Sequence, residues 1–68
     1  MAFRTITDRQ GNQIVVNSDC IAIVEPAGRG GWANGGEISF KPNSVPARAS
    51  IDIDGAEAAA VREWLTGL

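Results

Sequence analysis

The C-terminal part of the chain changes its hydrophobic period from that of a strand to that of a helix. Residues 47–53 alternate small or apolar side chains with polar ones. This alternation places four residues on one face of a strand, namely Ala47, Ala49, Ile51 and Ile53. The apolar residues that follow are spaced at i, i+3, i+4 and i+7, as on one side of a helix. This stripe consists of Val61, Trp64, Leu65 and Leu68. Because so short a helix is marginal by itself in water, we expect it to pack on the preceding strands.

Asp54 and Glu57 mark the start of this helix. Asp54 is a favourable N-cap, and Glu57, three residues later, has the spacing of a capping box, in which its side chain reaches back to the cap. The sequence therefore predicts a helix over residues 55–67, held on the sheet by five apolar side chains. The predicted helix–sheet core consists of Ile51, Ile53, Val61, Trp64 and Leu65.

Four further segments upstream have the composition of strands. The first two flank a Gly-Asn pair at residues 11–12, a signal for a two-residue hairpin turn. With that turn, Thr7 faces Val16 and Arg9 faces Ile14. In all, the predicted strands cover residues 3–9, 13–16, 20–25, 37–41 and 47–53.

The third of these strands, Cys20–Glu25, is apolar on both faces and ends at Pro26. Such a strand is typical of the middle of a structure, where one face lies under the helix and the other faces a curled interior or a second copy. The connections are short enough for antiparallel neighbours. The sequence thus predicts one α+β, mainly β domain over residues 1–68. Its sheet is a five-stranded antiparallel meander, curled or closed as far as an SH3-like half-barrel, with one C-terminal helix packed on it.

The size and composition of the chain favour association and argue against catalysis. The core of a domain of 68 residues rarely supplies more than about 3–5 kcal/mol. One cysteine without histidine forms neither an internal disulfide nor a zinc site. We therefore expect a homo-oligomer, a dimer or higher, or another protein as partner. We expect no enzyme activity, cofactor or metal, because no polar residues converge. Asp52 and Asp54 are interpreted as a solvated residue and a cap, and Cys20 as a small buried hydrophobe.

Charge and hydropathy bear on the cellular setting. The net charge is −2 and no basic cluster is present, which makes nucleic acid an unfavoured partner. Neither a signal-peptide pattern nor an apolar stretch of about 20 residues occurs, so we expect a cytoplasmic protein that does not enter membranes.

The glycine-rich segment 27–36 is the predicted partner-binding loop. It contains five of the eight glycines, and within it stand Arg29, Trp32 and Asn34. Trp and Arg are enriched at binding hot spots, and loops carry function more often than the framework does. The alternative is that Trp32 folds back onto the sheet edge as a plug.

Several stretches together resemble a known family. These are Gly-Asn-Gln-Ile-Val-Val-Asn at residues 11–17, then Ile21 and Val24-Glu25, then Ile38 ahead of the strand and short helix. Together they are similar to the small FlbD-like proteins, flagellar or swarming-associated bacterial proteins with bacterial and phage look-alikes. The resemblance implies a small sheet with a helix and no catalytic residues. The chain differs from the family in its longer loop at 27–36 and in additional residues at 41–48.

These observations favour a non-enzymatic protein-interaction or self-assembly module of bacterial or phage origin. Two alternatives stay open. One is an inhibitor that docks on a larger host protein, and the other is a weak binder of single-stranded nucleic acid. The inhibitor would use an acidic face of Asp52, Glu57 and Glu63, and the nucleic-acid binder would use Trp32, Phe40, Arg4 and Arg48.

Overall fold

The structure, a computed structural model, describes residues 1–45 and 48–68. Within these ranges it has five strands, two 3₁₀ segments and one α-helix, so the mainly β fold with a C-terminal helix is confirmed. The strands are β1 (Phe3–Thr7), β2 (Gln13–Asn17), β3 (Ile21–Pro26), β4 (Gly36–Phe40) and β5 (Ser50–Ile53), and the helix is α1 (Gly55–Thr66). The 3₁₀ segments are Ser18–Cys20 and Gly28–Asn34. The expected inward placement of Ala47 lies outside the described residues, and Ala49, expected on the same face, precedes β5 and is exposed.

Consecutive strands pair in antiparallel fashion, but they form two sheets. One sheet contains β1 and β2, and the other has the order β3-β4-β5. The chain passes from one sheet to the other through the 3₁₀ turn at Ser18–Cys20, where the Asn17 side chain accepts a hydrogen bond of 3.0 Å from the Asp19 N–H. In the described part of the chain β2 has no ladder with β3, so the predicted single meander is divided at this turn.

The β1–β2 hairpin has a different register from the predicted one. Ile6 lies opposite Ile14 and Thr7 opposite Gln13, so the expected pairs Thr7–Val16 and Arg9–Ile14 are wrong. The observed register places Ile6 and Val16, both buried, on the same face of the hairpin. It also turns the odd-numbered residues to the other face, because side chains alternate along a strand.

Asp8 explains the difference in register. The hairpin loop spans residues 8–12, and the Asp8 carboxylate accepts hydrogen bonds of 2.9 Å from the N–H groups of Gln10 and Asn12. The Asp8 N–H donates to the Asn12 carbonyl at 3.0 Å, which closes the loop. Gly11 adopts a φ of 87°, a left-handed conformation that glycine accepts without strain. An aspartate that bonds the backbone beyond it thus replaces the two-residue turn.

The predicted position of the doubly apolar strand in the middle of the structure is wrong. β3 is an edge strand, and β4 is the central strand of its sheet. Ile23 of β3 is 48% exposed, and the register shifts between Ile21 and Ile23, which leaves a bulge at Ala22. Apolar composition therefore did not distinguish an edge strand from a central one.

The core lies between the sheets and one side of α1. Ile38 and Phe40 of β4 are buried, as their alternation predicts. On α1 the buried residues are Ala58 and Val61, whereas Trp64 and Leu65 are half-buried and Leu68, beyond the helix, is 68% exposed. The buried stripe is therefore shifted toward the start of the helix. The buried apolar residues are Ile6, Val16, Ile38, Phe40, Ile51, Ile53, Ala58 and Val61.

The start of α1 has the predicted cap but not the predicted box. The Asp54 carboxylate accepts from the Glu57 N–H at 2.8 Å. The Glu57 carboxylate does not return to Asp54. It accepts a hydrogen bond of 2.6 Å from the N–H of Thr7 and lies 4.0 Å from the Arg4 guanidinium. The Glu57 side chain therefore bonds strand β1 instead of the N-cap residue Asp54, which is the partner that the local sequence predicts.

Gly55 brings the first turn of α1 into contact with the glycine-rich loop. A Cβ atom at this position would lie 2.9 Å from the Ala33 carbonyl oxygen and 3.2 Å from that of Trp32. Such separations are shorter than van der Waals contact, so the loop can approach this closely because residue 55 has no side chain.

Candidate interaction surface

The glycine-rich loop contacts both the β1–β2 hairpin and α1. From the hairpin, the Arg9 guanidinium donates to the Asn34 carbonyl. Within the loop, the Ala27 N–H donates to the Gly35 carbonyl at 3.0 Å. Gly31 interrupts the 3₁₀ segment with a φ of 65°, which creates a kink between its two short turns. The loop is thus held in a defined conformation by the hairpin on one side and by α1 on the other.

The predicted partner-binding residues do not share one open face. Arg29 and Asn34 are exposed. Trp32 is half-buried against the core, and the Arg62 guanidinium of α1 lies 4.1 Å from its ring centroid, within cation–π distance. One face of the indole is therefore covered by Arg62 of the helix.

The residues that the two alternative functions would use are likewise not all exposed and available. Phe40, assigned to base stacking, is buried in the core, and Arg4 lies beside Glu57. Glu57, assigned to an acidic face, has a side chain only 18% exposed and bonds β1. Stacking requires an exposed ring, and electrostatic docking requires an available charge.

The odd-numbered residues of the β1–β2 hairpin form a surface that sequence reasoning missed. On it Phe3 is 60% exposed and Val15 is 67% exposed, and the register makes them diagonal neighbours. None of its residues is ionisable. We call this surface the outer hairpin face, and it consists of Phe3, Thr5, Thr7, Gln13, Val15 and Asn17. Its alternation is visible in the sequence, but the pairing of the two strands depends on the loop at Asp8.

A cleft of about 310 Å³ lies beside β2 and is continuous with the outer hairpin face. Four consecutive residues of β2 line one side, which places the cleft along the backbone edge of this strand. Arg48 is the charged residue in its lining. We call it the β2 cleft, and its walls are Phe3, Ile14, Val15, Val16, Asn17, Cys20, Phe40, Ser44, Val45 and Arg48.

A second, polar cavity of about 180 Å³ lies between the hairpin loop and β5. Its charged lining residues are Asp8, Arg9, Arg48 and Asp52, so two carboxylates are balanced by two guanidinium groups. The hydrogen bond from the Asn12 N–H has the largest effect in lowering the pKa of the Asp8 carboxyl below its usual value, and Arg48 adds a smaller lowering. In residues 1–45 and 48–68 no group of three or more His, Cys, Asp or Glu side chains is arranged to hold a metal ion.

No protein-family model matches the chain, and neither a curated protein nor a solved structure is similar to it at a significant level. The resemblance to FlbD-like proteins stays a prediction. Among the helices of the described ranges, none has the length and apolar character needed to cross a membrane.

Proposed function

We propose that this protein is a non-enzymatic interaction module that self-associates through its outer hairpin face. One observation carries the proposal: Phe3 and Val15 are large, mostly exposed apolar side chains on a face without an ionisable group. Apolar surface gains free energy on removal from water, and a neutral face meets no repulsion from a copy of itself. The net charge of −2 adds little long-range repulsion between copies.

The size of the face indicates a weak association. A five-residue strand is about 17 Å long, so two strands present far less than the roughly 800 Å² per partner of a standard interface. Full burial of Phe3 and Val15 gains about 1.5–3 kcal/mol for each, before the cost of immobilising two molecules. A reversible dimer that forms at high protein concentration is therefore the expected state.

Light scattering over a concentration series tests the proposal. We expect the average mass to rise from that of one chain toward that of two, and Phe3→Thr to shift this rise to higher concentration. Ile23→Thr is the matched control, because Ile23 is an exposed apolar residue on β3, outside the face. A single-chain mass at every concentration, or an equal effect of the two substitutions, would contradict the proposal.

A further inference from the structure

Two of the four outer sheet edges are covered by contacts within the chain. At the β1 edge the Thr7 N–H donates to the Glu57 carboxylate of α1. At the β5 edge the Asp52 carbonyl accepts a hydrogen bond of 3.0 Å from the Arg9 N–H of the hairpin loop. Both contacts use main-chain groups that a further strand would need for pairing.

The β3 edge has features that oppose strand addition. Its register shifts at the bulge between Ile21 and Ile23, which interrupts a regular ladder. Glu25 contributes a charge, and Pro26 at its end has no N–H to donate. Bulges, charges and prolines are devices by which natural proteins prevent pairing at an edge.

The β2 edge, among the described residues, has neither a covering contact like those at β1 and β5 nor a bulge, charge or proline like those of β3. Flanking hydrogen bonds, Ser18 N–H to Ala2 carbonyl and Asp8 N–H to Asn12 carbonyl, show that even-numbered residues bond across the hairpin. Because the direction of bonding alternates along an antiparallel strand, the N–H and C=O groups of the odd-numbered residues of β2 point away from β1. These residues are Gln13, Val15 and Asn17.

The main-chain groups of Gln13 and Val15 and the N–H of Asn17 make no hydrogen bond to another described residue outside the ladder, whereas the Asn17 carbonyl, as the N-cap carbonyl, accepts the first hydrogen bond of the 3₁₀ turn at Ser18–Cys20. β2 contains no charged side chain and no proline, since its sequence is Gln-Ile-Val-Val-Asn. It is thus a neutral strand edge, and the β2 cleft runs along it.

We infer that the β2 edge pairs with the β2 edge of a second copy, antiparallel and centred on Val15. In this arrangement Val15 lies opposite Val15 of the second copy, and Gln13 lies opposite Asn17. The outward N–H and C=O groups then meet their counterparts in about four main-chain hydrogen bonds, because the Asn17 carbonyl of each copy already accepts within the 3₁₀ turn. The two hairpins become one four-stranded sheet.

Charge and space favour a second copy as the occupant of this edge. The β2 strands of two copies are both uncharged and therefore do not repel each other, and an uncharged incoming strand brings no cation toward Arg48 of the cleft lining. A strand occupies about 4.8 Å by 10 Å by 3.4 Å per residue, or about 160 Å³. The β2 cleft, at about 310 Å³, therefore has room for about two residues, the central part of an incoming strand.

This inference rests on the proposed self-association and adds a contact at the β2 edge to the one through the outer hairpin faces, since edge pairing by itself leaves Phe3 exposed. The pairing places the two outer hairpin faces side by side, so that Phe3 and Val15 of both copies form one continuous apolar surface. Edge pairing requires the main-chain N–H of Val15, whereas stacking of the faces requires the side chains. The two modes can therefore be separated by substitution.

Val15→Pro removes the outward N–H and retains an apolar side chain. Because this N–H does not bond to β1, proline is compatible with the hairpin at this position. Val15→Ile is the matched control, since it retains both the N–H and the apolar side chain. In sedimentation equilibrium with the full chain, we expect Val15→Pro to raise the dimer Kd about tenfold or more and Val15→Ile to leave it close to that of the unsubstituted chain.

The outcomes separate this inference from the proposed function. If Val15→Pro dimerises normally while Phe3→Thr does not, edge pairing is wrong and association through the face stands. If the unsubstituted chain never dimerises, both are wrong.

Amide exchange of the unsubstituted chain decides the question if Val15→Pro fails to fold. The Val15 amide must then exchange more slowly at high than at low protein concentration. The Thr5 amide, on the β1 edge, is the control. Equal exchange of Val15 at both concentrations would overturn the inference.

Discussion

Asp8 shows how one exposed side chain determines the faces of a whole hairpin. Its carboxylate accepts the N–H groups of Gln10 and Asn12, and this fixes a five-residue loop. The loop in turn places Ile6 opposite Ile14, so that the even-numbered residues face the core. The outer hairpin face exists because this side chain selects one register among those that the strands permit.

We predict that Asp8 makes stability depend on pH in the acid range. The pKa of its carboxyl is lowered in the folded chain, chiefly by the Asn12 N–H, whereas in the unfolded chain it is about 3.9. A lowered pKa contributes stability that is complete above about pH 4 and is lost as the pH falls through the folded-state value. Urea unfolding between pH 2 and pH 6 should therefore show a smaller loss of stability in acid for Asp8→Asn than for the unsubstituted chain.

An NMR titration midpoint of the Asp8 carboxyl at or above about 3.9 would contradict the assignment.

At the scale of elements, α1 connects the two sheets and the glycine-rich loop. Val61 is buried in the core, and Glu57 bonds the edge of β1. Arg62 stacks on Trp32 of the loop. The helix is thus held by polar and cation–π contacts on its flanks as well as by its apolar stripe.

Glu57→Ala tests the contact between α1 and β1. The substitution removes the acceptor of the Thr7 N–H and the partner of Arg4, and a hydrogen bond to a charged group is worth about 1.5–3 kcal/mol. We expect the free energy of unfolding in urea to fall by about 1–2 kcal/mol, since the site is partly open to water. Glu63→Ala, an exposed glutamate on the same helix, should change it by less than about 0.5 kcal/mol. Equal losses would contradict a specific contact of Glu57.

Local features of the elements were predictable from sequence, and features set by distant contacts were not. The Asp54 cap depends on neighbours within one helical turn, and the alternation of Ile38 and Phe40 depends on one strand, so both were predicted correctly. The Glu57 side chain bonds a strand 50 residues away, a contact that no local pattern contains. The edge position of β3 likewise follows from the order of strands in the sheet and not from its composition.

The candidate surface follows the same division. Residue type singled out Arg29, Trp32 and Asn34 as a predicted binding loop, but the cover over Trp32 comes from Arg62, 30 positions later in the chain. Phe3 and Val15 belong to segments predicted as strands, and their common exposed face became visible only with the register.

For the molecule as a whole, the small core is the limiting factor. The buried set among the described residues is apolar throughout, and the core of a domain of 68 residues rarely supplies more than about 3–5 kcal/mol. Association of folded chains adds to the free energy of unfolding by mass action. Self-association through the hairpin would therefore contribute stability as well as function.

We predict that the melting temperature rises with protein concentration once dimers are populated. A tenfold increase contributes about 0.7 kcal/mol per chain in a folded dimer, equivalent to about 3–5 °C for a domain of this size. Calorimetry at several concentrations measures this shift. Phe3→Thr should show a smaller shift over the same range. A melting temperature independent of concentration, in samples that contain dimers by light scattering, would show that association does not stabilise the fold.

The close approach at Gly55 has an evolutionary consequence. The carbonyl groups of Trp32 and Ala33 occupy the space that any side chain at position 55 would need. Descendants of this chain can therefore replace Gly55 only together with a change in the path or length of the preceding loop. The two segments are inherited as a pair, although more than twenty positions separate them in the gene product.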